Sequence, residues 1–250
     1  MFHLAAYSAN LGVGTDVDIT PVTDQVLSVQ NSHFVLNMPM GLMAVEAMSA
    51  LLDRIKLVSP TMRQLASPYV RPINQSTVAI TNPNLALYDN SPYPIPAFEE
   101  LQLLATSTIA AATERFTAGV WLQQNPQPIP AGGWTALRFT STTAAVANTW
   151  SDLPITFADT IPAGVYAAVM SEHFSTNAQL HRWIFSNQVA RPGFPSQVNA
   201  FSRHPYAISK GQFGVMGQFR SNDLPRFQAL TNSTDATHTG YLSVVKIGNL

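Results

Sequence analysis

Gly164-Val165-Tyr166-Ala167-Ala168-Val169-Met170-Ser171-Glu172-His173-Phe174 is followed by Ser175-Thr176-Asn177-Ala178-Gln179 and then by Leu180-His181-Arg182-Trp183-Ile184-Phe185. Two apolar runs, rich in β-branched and aromatic residues, flank a short polar stretch, which reads as strand, turn, strand. Paired as a hairpin with His173 opposite His181, the strands would set Glu172 opposite Arg182 on the other face. Opposite charges directly across a ladder contribute about 0.2–1 kcal/mol and fix register.

The same signature recurs outward from this pair. Trp134 to Phe139, Ile155 to Phe157, Gln212 to Phe219 and Gly240 to Ile247 read as strands in the second half. Asp16 to Thr20, Gln25 to Gln30, His33 to Asn37, Gln102 to Thr106 and Arg115 to Leu122 do so in the first. Eighteen prolines and thirteen glycines cut the chain into short pieces. Two helices are expected. One covers Leu42 to Ile55, a stretch of Ala, Leu and Met whose Met43, Met48, Leu51, Leu52 and Ile55 would form a buried face. The other starts at Ser59 as N-cap with Pro60 at the first helical position, and runs through Leu65 before Pro68.

Asn125-Pro126-Gln127-Pro128-Ile129-Pro130-Ala131-Gly132-Gly133 lies at the middle of the 250 residues, with no charge and no strand pattern. It divides the chain into a β-domain at 1–124, a linker at 125–133 and a second β-domain at 134–250. The halves end alike: Thr117-Ala118-Gly119-Val120-Trp121-Leu122 resembles Thr239-Gly240-Tyr241-Leu242-Ser243-Val244-Val245, which points to a tandem duplication. The expected fold class is therefore all-β, with two antiparallel sandwiches in tandem and one or two short helical insertions in the first.

Hydrophobic residues make up 46% of the chain and charged residues 11%, under half of the usual ~25%. Such a chain has enough apolar material for a core, which excludes disorder. No apolar run reaches the ~18 residues of a membrane-spanning helix. The first residues, Met1-Phe2-His3-Leu4, lack the pattern of a signal peptide. Cysteine is absent, which removes disulfides, thiol chemistry and Cys-ligated zinc. Ten arginines stand against three lysines. Residues 1–125 carry five Lys/Arg and nine Asp/Glu, net −4; residues 126–250 carry eight and five, net +3. A surface this poor in charge, with Arg favoured over Lys, suits burial against neighbours better than free solvation.

Chemistry-bearing motifs are few. The phosphate-cradling glycine motifs, the Gly-x-Ser-x-Gly elbow and His-Glu-x-x-His are all missing. His173 and His181 are a possible metal pair, but the sequence offers no third ligand, so they read as strand histidines near the surface. Glu99-Glu100 point to opposite faces of a strand and suit a cap or ion pair better than acid/base work. Asp16 and Asp18 share a strand face but are two ligands only, too few for a cation. Trp121, Trp134, Trp150 and Trp183 fit core packing better than a sugar platform. Asn74-Gln75-Ser76 and Asn232-Ser233-Thr234 match the glycosylation acceptor by chance. No catalytic, cofactor-binding or metal-binding residue is expected, and no cofactor.

The stretch Trp150-Ser151-Asp152-Leu153-Pro154-Ile155-Thr156-Phe157-Ala158-Asp159-Thr160-Ile161-Pro162-Ala163-Gly164-Val165-Tyr166, with Arg191-Pro192-Gly193 shortly after, resembles a segment of the coat proteins of small icosahedral bacterial viruses. There a Pro-Ala-Gly turn feeds a long strand. Two β-rich halves joined by a proline linker resemble the double jelly-roll major capsid proteins over the whole chain. The resemblance implies two eight-stranded jelly rolls, in a minimal version with short loops. It implies a homotrimer with a pseudo-hexagonal outline that tiles a virion shell, made in the host cytoplasm. Minor capsid or vertex proteins are implied as partners, with a membrane or genome beneath the shell and no small-molecule substrate. The alternatives are a β-sandwich carbohydrate- or receptor-binding module of the spike type, expected to expose tryptophans, and a small cupin-like metalloenzyme using His173 and His181.

Overall fold

A computed structural model describes residues 1–48, 54–63, 69–70, 85–88, 91–107, 114–196 and 213–250. The chain forms two compact units. One is Ala5–Gln124; the other joins Met1–Leu4 to Asn125–Leu250. The N-terminal β-domain thus begins at Ala5 and not at Met1. The first residues belong elsewhere because Phe2 packs edge-on against Phe194 and Phe213, at 5.6 and 5.2 Å between centroids. The Leu4 N–H also donates to the Arg191 carbonyl at 3.0 Å. The segment 125–133 is integral to the same unit. The Gln127 carbonyl accepts from the Val215 N–H at 3.0 Å. It also lies where a Cβ on Gly214 would come within 2.2 Å, and Gly214 has φ +78, so glycine is required there.

The Ala5–Gln124 unit is built from β1 (Phe2–Leu11) from Ala5 onward, β2 (Gly14–Ile19), β3 (Ser28–Gln30), β4 (His33–Val35), β5 (Met40–Met48), β6 (Arg54–Val58), α1 (Pro60–Arg63), β7 (Tyr69–Val70), β8 (Leu85–Leu87), β9 (Tyr93–Ile95), β10 (Glu100–Ser107) and β11 (Glu114–Gln123). One sheet runs β1-β11-β5-β8, with β9 also on β5. The other runs β3-β4-β10-β6-β7, with β2 also on β10. Between them lies an aliphatic core that includes Leu11, Ile19, Leu42, Val45, Ile55, Leu57, Leu101, Leu103, Val120 and Leu122. Tyr7 is fully buried in it, edge-on to Phe34 at 5.2 Å, with its hydroxyl donating to the Leu101 carbonyl at 2.8 Å.

The helix expected over Leu42 to Ile55 does not form. Met40–Met48 is β5 and Arg54–Val58 is β6; Leu51 and Leu52 lie outside the described residues. Leu42, Met43, Ala44, Val45, Glu46 and Ala47 are all buried, so β5 is covered on both faces. A strand hidden on both sides has no polar–apolar alternation to announce it. Its Ala, Leu and Met favour helix locally, but pairing with β11 from Met48↔Thr117 to Gly41↔Gln123 overrides that preference. The second helix does form, as the short α1. Ser59 Oγ accepts the Met62 N–H at 3.0 Å, the N-cap geometry expected of it. The expected continuation to Leu65 lies outside the described residues.

The second unit is built from β12 (Trp134–Ser141), β13 (Trp150–Leu153), β14 (Thr156–Phe157), β15 (Val165–Phe174), β16 (Ala178–Ile184), β17 (Gly193–Pro195), β18 (Gly217–Arg220), β19 (Arg226–Thr231) and β20 (His238–Gly248). Its sheets run β14-β12-β20-β15-β18 and β13-β19-β16-β17, and every strand pairing in them is antiparallel. The core is aromatic. Phe139 packs against Phe227 at 4.8 Å and Trp183 at 5.2 Å. Burying each such ring contributes about 1.5–3 kcal/mol. Gly240 admits this packing, since a Cβ there would meet the Glu172 carbonyl at 2.2 Å and the Phe139 ring at 2.6 Å.

The expected hairpin is a corner between the two sheets. β15 pairs with β20 and β18, whereas β16 pairs with β19 and β17. Glu172 faces Tyr241, and Arg182 faces Gln228. The turn residues carry the chain across the sandwich instead of reversing it within one sheet. The Asp235 carboxylate fastens that crossing by accepting the Ser175 hydroxyl and the Asn177 N–H.

The eight principal strands of each unit, taken in chain order, follow one pattern. The first, eighth, third and sixth form one sheet, as β1-β11-β5-β8 and as β12-β20-β15-β18. The second, seventh, fourth and fifth form the other, as β2-β10-β6-β7 and as β13-β19-β16-β17. The two similar terminal segments noted in the sequence lie on β11 and β20, the eighth strand of each set.

Candidate functional site

β15 and β16 bring His173 and His181 together through the sandwich rather than across a ladder. Their rings lie 5.4 Å apart, and both residues are fully buried, not near the surface. Alternation along β15 turns Ser171 and His173 inward. His238, at the start of β20, stacks on His173 at 5.3 Å, and Ser196 follows β17. No local pattern marks His238, because its 65-residue separation from His173 is closed only by the sheet.

The hydrogen bonds among these groups have one direction when the rings are neutral. The Asp235 carbonyl can only accept, so His238 Nε2 donates to it at 3.1 Å. His238 Nδ1 then accepts from His173 Nε2 at 3.2 Å, and His173 Nδ1 accepts the Ser196 hydroxyl at 2.9 Å. Ser196 Oγ accepts from His181 Nδ1 at 3.3 Å, and His181 Nε2 accepts the Ser171 hydroxyl at 2.6 Å. Burial, and then the neighbouring His181 and His238, hold His173 well below the usual histidine range. The chain therefore solvates three imidazoles inside an apolar core. Ser196 Oγ is shared by His173 Nδ1 and His181 Nδ1, and among the described residues no group of three His, Cys, Asp or Glu side chains could hold a metal ion. Ser171 is itself buried, so its hydroxyl faces the core and presents no nucleophile to solvent.

The carboxylates singled out in the sequence are dispersed over the other unit. Asp16 pairs with Lys56 at 2.6 Å, which is the main reason its carboxyl titrates below the usual range; Thr106 adds a hydrogen bond. Asp18 pairs with His33 at 2.8 Å, and Glu100 approaches the other nitrogen of His33 at 3.2 Å. Partial burial opposes the charge on His33, but the two carboxylates prevail and raise its pKa. Glu99 accepts the Thr61 N–H at 2.9 Å in the first turn of α1. These contacts tie β2, β4, β10 and α1 together without forming a pair of carboxylates around one point.

Of the tryptophans, Trp121 and Trp183 are fully buried and Trp150 lies under Arg182, whose guanidinium carbon is 4.0 Å from the ring centre. Trp134 is half-exposed. Arg182 Nε donates to Gln228 Oε1 at 2.7 Å, and Gln228 Nε2 to Asp152 Oδ1 at 2.6 Å, a polar row across β16, β19 and β13. Asn232 donates its N–H to the Asn177 carbonyl at 3.0 Å, and Asn74 lies outside the described residues.

At the edge where β13 gives way to β14, the surface opens into a cleft of about 760 Å³, walled by Leu153, Ile155, Phe157, Ile161, Leu224 and Pro225. Arg226 lies at the same cleft, two-thirds exposed, with only a loose 3.7 Å contact to Asp152. Comparison with protein-family models, curated proteins and solved structures finds no match to this chain.

Proposed function

We propose that the protein is a structural shell subunit, a coat protein whose two units are jelly rolls and whose activity is self-assembly. The observation that carries this reading is the strand order found twice in one chain. An eight-stranded sandwich whose sheets contain strands 1-8-3-6 and 2-7-4-5 is the order a jelly roll requires. Two such units in one chain, taken three times, give six similar bodies around a threefold axis and a near-hexagonal tile. The sparse surface charge and the excess of Arg over Lys favour extensive contact between copies. The opposite net charges of the two halves, −4 and +3, favour head-to-tail pairing of the first unit of one copy with the second of the next. The role assigned is structural, not enzymatic. Its setting is a virion made in a host cytoplasm, with vertex proteins and an underlying membrane or genome as further neighbours.

Sedimentation velocity at tens of micromolar across a salt series tests the reading. Trimers that persist in salt, with larger species that vary with conditions, support it, since charge guides such pairing while apolar area holds it. A monomer throughout refutes it.

A further inference from the structure

Phe98 is the most exposed large apolar side chain among the described residues, at 81%. It lies in the turn Pro96-Ala97-Phe98-Glu99 between β9 and β10. Its backbone has φ +64, in the left-handed region, an unfavourable conformation for a bulky aromatic. The turn is nonetheless clamped. The Phe98 N–H donates to the Leu36 carbonyl at 2.7 Å, the Leu36 N–H to the Glu99 carbonyl at 3.2 Å, and the Glu99 carboxylate holds α1. An apolar ring is thus held out in water at a fixed angle, so little conformational freedom remains to be lost on docking.

The other unit carries the complementary feature, the apolar cleft walled by Leu153, Ile155, Phe157, Ile161, Leu224 and Pro225. Its volume exceeds that of one phenyl ring and leaves room for the adjoining Pro96 and Ala97. Charge at the contact is mixed. Glu99 and Glu100 follow Phe98 in the chain, and the cleft carries the exposed Arg226 beside the carboxylates Asp152 and Asp159, so apolar fit and the fixed angle of the ring, not net charge, carry the contact. We propose that Phe98 of one copy seats in this cleft on a second copy. The inference rests on the self-assembly reading and names its contact. Because knob and cleft belong to different units, the contact is heterologous, and its repetition closes a ring or extends a sheet of subunits. One ring buries far less than a stable interface needs, so Phe98 selects the register of a larger contact.

Phe98→Gly removes the ring and suits the left-handed backbone, so its monomer should melt no lower than the wild type. It should need at least about tenfold more protein to assemble. Leu224→Glu, at a half-exposed position of the cleft, should act alike. Because the chain has no cysteine, Phe98→Cys and Leu224→Cys chains mixed with a short bismaleimide should yield a two-chain product beyond that of either chain alone. Assembly of Phe98→Gly at the wild-type concentration, or no excess product in the mixture, overturns the proposal while leaving the self-assembly reading intact. Loss of assembly in Leu224→Glu alone overturns it too, since another segment or partner would then fill the cleft. A wild-type chain that stays monomeric in the same experiment overturns both.

Discussion

The two units reach one strand order with different interiors. The Ala5–Gln124 unit packs aliphatic side chains around Tyr7 and Phe34, and its histidine, His33, lies at the surface between Asp18 and Glu100. The second unit packs Phe139, Trp183 and Phe227 together and encloses His173, His181 and His238 in their midst. Topology is therefore set by where strands, corners and turns fall, while the chemistry of the core is free to diverge once each sheet face is apolar enough. The divergence leaves the units with histidines of opposite character: carboxylates raise the pKa of His33, whereas burial holds His173 well below the usual histidine range.

The largest expected effect is at the aromatic hub. Phe139→Ala should cost the second unit about 3–5 kcal/mol, through lost transfer energy and the cavity left behind. Denaturant unfolding followed by the fluorescence of Trp134, Trp150 and Trp183 reads it. A loss below about 1 kcal/mol would mean that the aromatic cluster does not organise this core.

Acid should separate the units next. A histidine whose folded pKa is depressed stabilises fully above its unfolded pKa, near 6.5, and that stability is lost as pH falls below it. The second unit should weaken below about pH 6.5, with a slope of up to about 1.4 kcal/mol per pH unit for each proton taken up. Replacing His173 by Phe, with Ser196 Oγ kept as the partner of His181 Nδ1, should flatten the profile. An unchanged slope would place the acid sensitivity elsewhere. His33 works the other way. Its folded pKa is raised, so its contribution is full below about pH 6.5 and fades as pH rises through the folded value. His33→Gln should cost the first unit less than about 1 kcal/mol at pH 6, because Asp18 and Glu100 are partly solvated, and still less at pH 8. A cost that grows with pH would contradict the assignment.

The smallest contrast concerns α1, which has no counterpart among the described residues of the second unit. Ser59→Ala should lower the stability of the first unit by about 1 kcal/mol, as loss of an N-cap does. A neutral result in urea unfolding would show that Glu99, bonded to the Thr61 N–H, holds the turn alone.

How much of this was legible depended on burial. β12, with its alternating exposure, and β20, alternating over its first residues, stood out in the sequence, as did the Ser59 cap. β5 did not, because both of its faces are hidden and its residues favour helix by themselves. β1 lacks alternation for the same reason, six consecutive residues from Phe2 to Tyr7 being buried. The proximity of His173 and His181 could be read from a strand–turn–strand pattern, but not the sheets they belong to. A polar turn looks alike whether it reverses a strand or carries it across a sandwich. His238 and Ser196 join the cluster only through long-range pairing, and neither Phe98 nor the cleft has a local sequence signature.

The central claim, that two units of one topology make a subunit that assembles with itself, is tested most directly by electron-microscopic class averages of the assembled species. A threefold particle is expected, in which three chains display six bodies of similar size in a near-hexagonal outline. Single two-lobed particles at every concentration and salt, or rings without a threefold axis, would contradict it.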